Sequence, residues 1–236
     1  MSKLTERAVF NQLHEHMMAN GIYPLFQSAY RQYHSTETAL LRVMNDILLK
    51  MNSQHVTLRV LLDLSAAFDT VSHDVLLDRL HNDVGLRGNA FNWFYSYRSQ
   101  RSQIVSIHGT LSNYFDLDCG VPQGSCVGPL LFVFYASKLF TIIKKHLPNV
   151  HCFADDTQLY LSFKSDDKFS LDEAISAMNR CISDLRNWII RDRLMINDDK
   201  TELILIGTRQ QLGKINDVCN ISVGDYDTIL VPVLEI

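Results

Sequence analysis

The segment Phe153-Ala154-Asp155-Asp156 constrains the fold of this 236-residue chain more than any other. The mostly apolar run His151-Cys152-Phe153-Ala154 leads into the acids, and Gln158-Leu159-Tyr160-Leu161-Ser162-Phe163 follows with strand alternation. That pattern reads as a β-hairpin with Asp155 and Asp156 at its tip. Adjacent aspartates also occur in ordinary surface turns, but a third carboxylate, Asp63, lies in a separate apolar run, Val60-Leu61-Leu62-Asp63-Leu64. Two apolar strands that each deliver an acid suit a hard cation. Mg²⁺ takes oxygen ligands in octahedral geometry, commonly one or two carboxylates plus substrate phosphates. Two such ions roughly 4 Å apart can stabilise both the attacking and the leaving oxygen of a phosphoryl transfer.

Bulk properties narrow the class. With 47% hydrophobic and 20% charged residues the chain can build a core as one large domain or two small ones. The longest apolar run, 129–143, is interrupted by Lys138 and is too short to span a bilayer, so no membrane partner is expected. The amphipathic, charged start does not read as a signal peptide. Five cysteines, an odd number with no Cys-x-x-Cys pair, read as reduced and structural. The expected location is therefore intracellular, nucleus or cytoplasm, and not secreted. A net charge of −4 argues against a nucleic-acid binder, so any basic groove must be local. Local basic candidates are Arg98 with Arg101, and Lys144-Lys145-His146, the second also readable as a solvated helix end.

Periodicity predicts helices over 5–19, from a cap at Ser35 or Thr36 to Met51, from Ser72 to near Gly85, over about 89–97, from the 120–125 loop to about Lys145, and over 171–192. In the second helix Leu40, Val43, Met44, Ile47, Leu48 and Met51 form the expected apolar stripe. Strands are predicted at 56–64, 103–107 and 114–117 around a His108-Gly109 turn, on both sides of the acids, at 194–197 and at 201–206, with weaker apolar runs at 221–223 and 229–234. The mixture points to an α+β fold.

Four segments stand in order: Asp63-Leu64-Ser65-Ala66-Ala67-Phe68-Asp69, Gly120-Val121-Pro122-Gln123-Gly124-Ser125, Phe153-Ala154-Asp155-Asp156, and Leu194-Met195-Ile196-Asn197 with Lys200-Thr201-Glu202. Together they resemble the palm motifs of reverse transcriptases, most closely those of LINE-type (non-LTR) retrotransposons of the jockey-like group. Gln27-Ser28-Ala29-Tyr30-Arg31 and His34-Ser35-Thr36-Glu37-Thr38-Ala39-Leu40 are similar to that group's finger motif.

The resemblance implies a polymerase palm, with a central antiparallel sheet packed on helices, plus partial fingers. It implies 1–55 as fingers, 56–207 as palm and 208–236 as the approach to a thumb, with the chain truncated at both ends. The implied activity is RNA-directed DNA polymerase, with RNA template, DNA primer and deoxynucleoside triphosphates as partners. Two Mg²⁺ ions, or Mn²⁺ in their stead, are implied on Asp63 and Asp155 with Asp156 beside them. Backbone amides at Leu64, Ser65, Ala66 and Ala67 would approach the triphosphate. Phe68 would be the steric gate against a ribose 2′-hydroxyl, although a lone aromatic is also ordinary core. Gln123 and Gly124 would contact nucleotide and template, Arg31 would hold triphosphate oxygens, and Lys200 would protonate pyrophosphate. Taken alone, Arg31 is a surface charge and Lys200 a surface partner of Asp198 and Asp199. The alternative is a catalytically inactive palm remnant acting at most as a nucleic-acid-binding module.

Overall fold

The computed structural model describes residues 2–99, 101–215, 220–223, 226–229 and 231–232, with side chains described over 3–99 and 101–215. In chain order the elements are α1 (Ser2–Ala19), α2 (Thr36–Asn52), β1 (His55–Leu62), α3 (His73–Asn82) and α4 (Gly88–Arg98). Four two-residue strands follow: β2 (Ser102–Gln103), β3 (Ser106–Ile107), β4 (Thr110–Leu111) and β5 (Phe115–Asp116). Then come α5 (Gly128–Ala136), α6 (Lys138–Ile143), β6 (Asn149–Phe153), β7 (Asp156–Lys164) and α7 (Lys168–Arg191). The last are β8 (Glu202–Ile206), α8 (Arg209–Leu212), β9 (Asn220–Val223), β10 (Tyr226–Ile229) and β11 (Val231–Pro232). These elements form two compact units, Met1–Tyr23 with Ala66–Ala136 and Pro24–Ser65 with Ser137–Ile236.

The second unit is built on a five-stranded sheet of order β11-β8-β1-β7-β6, antiparallel except where β11 joins β8. Strand alternation sorts β1 into two faces. Val56, Leu58, Val60 and Leu62 are almost fully buried on one face, each worth about 1.5–3 kcal/mol in removal from water. Thr57, Arg59 and Leu61 lie on the other. There Val43, Ile47 and Met51 of α2 cluster with Tyr160 and Ile206, covering the sheet at the end away from the acids. The amphipathic α7 packs on β7 and α6; of the stripe its periodicity predicts, Met178, Ile182, Leu185 and Trp188 are buried and Ile175 is half-buried.

The sequence reading of α2 needs correction. Its buried row is Ala39, Val43, Ile47 and Met51, whereas Leu40 and Leu48 are exposed. A helix lying on a strand surface buries a narrow i, i+4 row, so the two flanking leucines fall outside it. Its start is as expected: Ser35 Oγ accepts from Thr38 N at 3.2 Å and Thr38 Oγ1 accepts from Ser35 N at 2.8 Å. Such a reciprocal cap is worth about 1 kcal/mol.

The first unit holds α1, α3, α4 and α5, with α3 packed against both α4 and α5. The strands expected over 103–107 and 114–117 are broken into two short ladders, β2 with β5 and β3 with β4. The turn between β3 and β4 is the expected His108-Gly109, with φ of 49° and 83°. The long apolar helix is interrupted at Ser137, which keeps helical angles while Phe140 N bonds to its carbonyl at 3.3 Å, i to i+3. The strand expected at 194–197 reduces to a single bridge between Leu64 and Ile196. Cys119, Cys126, Cys152 and Cys181 are free thiols. Cys219, with residues 230, 233 and 234 of the last apolar run, lies outside the described residues. Among the described residues no helix is long and apolar enough to cross a membrane.

Candidate active site

Pairing register brings the acids of the second unit to one end of its sheet. β1 and β7 run antiparallel with Leu62 opposite Thr157, and the next residue outward on each chain is an acid, Asp63 and Asp156. β8 begins at the same end with Glu202 opposite Leu61. An open cleft of about 480 Å³ follows this edge, lined by Asp63, Asp156, Asp199 and Glu202 together with Arg59 and Lys200. The Asp156 side chain is exposed, yet its carboxyl is held above the usual range by partial desolvation and by the charges of Asp155 and Asp63. Asp156 therefore feels the charge of both other aspartates.

Asp63 is held from several sides. Its backbone carbonyl accepts from Asn197 N at 2.9 Å, and its Oδ2 accepts from Asn197 Nδ2 at 3.1 Å. Lys200 Nζ lies 3.9 Å from the same oxygen, with its side chain 71% exposed. Lys200 is thus an open cation at the acid edge. Asp198, which the sequence offered as its surface partner, bonds instead to Arg186. Leu64 is buried beside Ile196, and Ser65 N donates to Met195 O at 2.8 Å. That amide is committed to the protein and is not presented for a ligand.

The hairpin tip is a two-residue turn, Ala154-Asp155, closed by the pair Phe153 and Asp156. Ala154 has φ of 58°. A residue with a Cβ pays roughly 1–2 kcal/mol to adopt left-handed backbone. The buried side chain of Gln27 grips it on both sides. Gln27 Oε1 accepts from Ala154 N at 2.9 Å and from Ala29 N at 3.0 Å, while Nε2 donates to Ala154 O at 3.0 Å. The flanking backbone is tied to β6 by Ser28 N to Cys152 O at 3.0 Å and Cys152 N to Phe26 O at 2.8 Å. Ser28 Oγ bridges His34 Nδ1 at 3.1 Å and His151 Nε2 at 3.0 Å. Burial pushes His151 down to about 4, helped by the charges of Arg42 and His34 and opposed by Asp46. Tyr30 is shifted upward by partial burial and by the charge of Asp155. Arg31 is half-buried, and its charge lowers His34 after the effect of burial.

In the first unit, Ala66 has φ of 48° and Ala67 is buried. Phe68 is half-buried with its ring tilted against Phe132, centroids 4.9 Å apart. Val121 N donates to Phe68 O at 2.9 Å, joining that segment to the Pro-Gln-Gly loop. Gln123 and Gly124 are exposed, and Gly124 needs its positive φ of 78° rather than space, since a Cβ there would meet nothing within 4 Å. Four of the five basic candidates have partners away from the acids. Arg98 pairs with Asp74 at 3.3 Å, Arg101 lies over Tyr97, Lys144 lies over Phe26, and His146 bonds to Asp184 at 2.8 Å.

Sequence reasoning did not assign roles to Gln27, Asn197 or Tyr30. Gln27 and Tyr30 lie inside the finger-like segment and Asn197 inside the last palm-like one, and that membership was the only available signal. As a donor set, the aspartates offer hard carboxylate oxygens, with Asp156 under the charge of the other two, which fits a divalent cation. Among the described residues no three His, Cys, Asp or Glu side chains enclose a metal position by themselves. An ion here would need substrate or water oxygens to complete its shell.

Residues 1–220 match the family model described as reverse transcriptase (RNA-dependent DNA polymerase). The chain is 30% identical over 207 residues to a Drosophila melanogaster protein described as "Probable RNA-directed DNA polymerase from transposon BS", covering 85% of this chain and 22% of that one. It is 27% identical over 214 residues to the RNA-directed DNA polymerase from mobile element jockey of the same organism, covering 89% and 23%. The chain therefore spans less than a quarter of the length of these relatives. Among solved structures, an apo telomerase from Candida tropicalis truncated from its C-terminal domain aligns with a TM-score of 0.62 at 16% identity, over 86% of this chain and 41% of that one. That likeness shows the fold, an α+β polymerase palm.

Proposed function

The chain belongs to the reverse transcriptase family, with jockey-like non-LTR retrotransposon relatives, and from that premise we propose that it is the palm and part of the fingers of an RNA-directed DNA polymerase. The observation that carries the proposal is the β1–β7 register, whose last pair is Leu62 opposite Thr157, so that the next residues outward, Asp63 and Asp156, line one cleft with Asp155 in the adjoining turn. The reaction is attack of a primer 3′-hydroxyl on the α-phosphorus of a deoxynucleoside triphosphate, directed by an RNA template, with release of pyrophosphate. Two Mg²⁺ ions, replaceable by Mn²⁺ and held by Asp63 and Asp155 with Asp156 alongside, would lower the pKa of the nucleophile and neutralise the growing charge.

The chain's own groups take the remaining roles. Asn197 and Lys200 orient Asp63, and Lys200, as an exposed cation at the same edge, protonates the departing pyrophosphate. Arg31 holds triphosphate oxygens through its guanidinium fork. The backbone amides of Leu64, Ala66 and Ala67 approach the triphosphate, whereas that of Ser65 is already bonded to Met195 O. Phe68 discriminates against the ribose 2′-hydroxyl, and Gln123 and Gly124 contact nucleotide and template. Within this reading, 1–55 act as fingers, 56–207 as palm and 208–236 as the approach to a thumb, and the protein works inside the cell.

RNA-templated primer extension by the purified chain with deoxynucleotides and Mg²⁺, beside an Asp63→Asn control of equal thermal stability, tests this. Extension by the parent alone is expected. Equal extension by Asp63→Asn, or none by a folded parent, would overturn it.

A further inference from the structure

We propose that Gln27 is a positioning residue that holds the acid-bearing turn in its working conformation. The inference rests on the polymerase reading for its effect on rate, and on geometry alone for its effect on the turn. The Gln27 residue is 2% exposed, and both ends of its amide group are engaged: two backbone N–H groups, of Ala154 and Ala29, point at Oε1, and the carbonyl of Ala154 receives a hydrogen bond from Nε2. Two donors converging on one atom fix the orientation of the amide, because the NH₂ end cannot accept them. Both polar groups of Ala154 are thereby satisfied in a backbone conformation that the sequence alone does not favour, since alanine at φ of 58° lacks the freedom of glycine.

Nothing local provides this restraint. Gln27 and Ala154 are 127 residues apart, and the backbone bonds of Phe26 and Ser28 to Cys152 keep the glutamine in register with the end of β6. Asp155 follows Ala154 directly, so the two peptide groups of Ala154 set the direction in which its carboxylate leaves the turn. Releasing them lets the tip relax and moves Asp155 relative to Asp63. Placement errors of about 1 Å at a reacting centre cost on the order of 100-fold in rate. The same finger-like segment carries Arg31, four residues on, so one short stretch both fixes the turn and presents the proposed triphosphate ligand.

The test uses Gln27→Met, which keeps the length and fills the space but makes none of the three bonds, in the full chain. Once folding is verified by its melting curve, the Ala154 and Ala29 amides are expected to exchange hydrogen faster than in the parent. Extension kcat is expected to fall roughly 10- to 100-fold while the nucleotide KM changes by less than about threefold. Ala154→Gly supplies the discriminating background, because glycine adopts the turn without restraint. There the Gln27→Met loss is expected to shrink to less than about threefold, a non-additivity that general destabilisation does not produce. Should Gln27→Met fail to fold, Gln27→Glu carries the test: its carboxylate keeps an acceptor for both amides but turns a second acceptor oxygen, in place of the Nε2 donor, toward Ala154 O.

Unchanged amide exchange, unchanged kcat, or an equal loss in the Ala154→Gly background would overturn the proposal. If a folded parent extends no primer, the polymerase reading falls by itself. The exchange measurement and the affinity for Mn²⁺ then decide the Gln27 question, with weaker Mn²⁺ binding by Gln27→Met expected and equal binding contradicting it.

Discussion

The turn at Ala154-Asp155 and the loop at Pro122-Gln123-Gly124-Ser125 both carry residues proposed to meet substrate, yet they are restrained in opposite ways. The acid turn puts a non-glycine residue at φ of 58° and is secured by a buried side chain from far along the sequence. The loop puts glycine at φ of 78° and is secured beside its tip rather than at it, where Ser125 Oγ accepts from the N–H groups of Val127 and Gly128 at 3.1 and 3.0 Å. A further tie comes from Glu6, which accepts from Ser125 Oγ and from Cys126 N. The exposed Gln123-Gly124 tip itself is spared these bonds. The lesson is that alanine in left-handed backbone is held there by tertiary hydrogen bonds, whereas glycine supplies such a conformation by itself.

The comparison breaks most visibly at Asp155. Asp155→Ala should reduce extension to background while leaving the melting temperature equal or slightly higher, because Asp156 loses a repulsive neighbour. A calorimetric melt beside the extension assay separates the two effects; a large drop in melting temperature would mean that the turn's role is structural.

Lys200→Ala comes next, with an expected fall of about 100-fold in kcat for a general acid. Single-turnover quench kinetics would read it, and a solvent-exposed side chain of this kind should leave stability within about 0.5 kcal/mol of the parent. An unaltered chemical step would return Lys200 to an orienting role on Asp63.

Two glycines sharpen the contrast in the loop. Gly120→Ala faces a φ of 86° and a Cβ contact of 3.0 Å to Asp69 O, so a loss of roughly 2–4 kcal/mol is expected in urea denaturation. Gly124→Ala meets no atom within 4 Å and should cost only the roughly 1–2 kcal/mol of its positive φ. Equal losses would show that the contact with Asp69 adds nothing to the cost of a positive φ at Gly120.

The smallest effect concerns the ground beneath the acid turn. His151 stays neutral in the fold down to about 4, against an ordinary value of 6.5. Between those values the unfolded chain binds a proton that the folded chain refuses, so stability falls as pH drops from about 6.5 to about 4 and is indifferent to this group outside that window. His34, shifted downward by burial and by Arg31 and Arg42, contributes with the same sign. Urea midpoints measured across that range should slope upward with pH, and His151→Gln should flatten the slope.

Much of this molecule was legible in the sequence because it is local. The acid hairpin, the Ser35 cap, the His108-Gly109 turn and the buried stripe of α7 each follow from neighbours a few residues apart. Leu40 and Leu48 misled because periodicity gives a helix face but not how much of that face its partner covers. The interruption at Ser137 carries no proline or glycine to announce it. At the site, Asp63, Asp155 and Asp156 were visible as acids at the ends of apolar runs, while Gln27 and Asn197 were not. Each acts across more than 100 residues of sequence, on Ala154 and on Asp63, and a polar side chain in a loop has no pattern that distinguishes such an anchor from a solvated residue.

The claim beneath these comparisons is that Asp63, Asp155 and Asp156 form one divalent-cation site at the end of the sheet. Crystals of the chain grown with Mn²⁺, primer–template and a deoxynucleotide, measured for anomalous scattering, test it directly. The account predicts an anomalous peak bound by oxygens of both Asp63 and Asp155. A well-ordered nucleotide with no peak shared by these two carboxylates would contradict it.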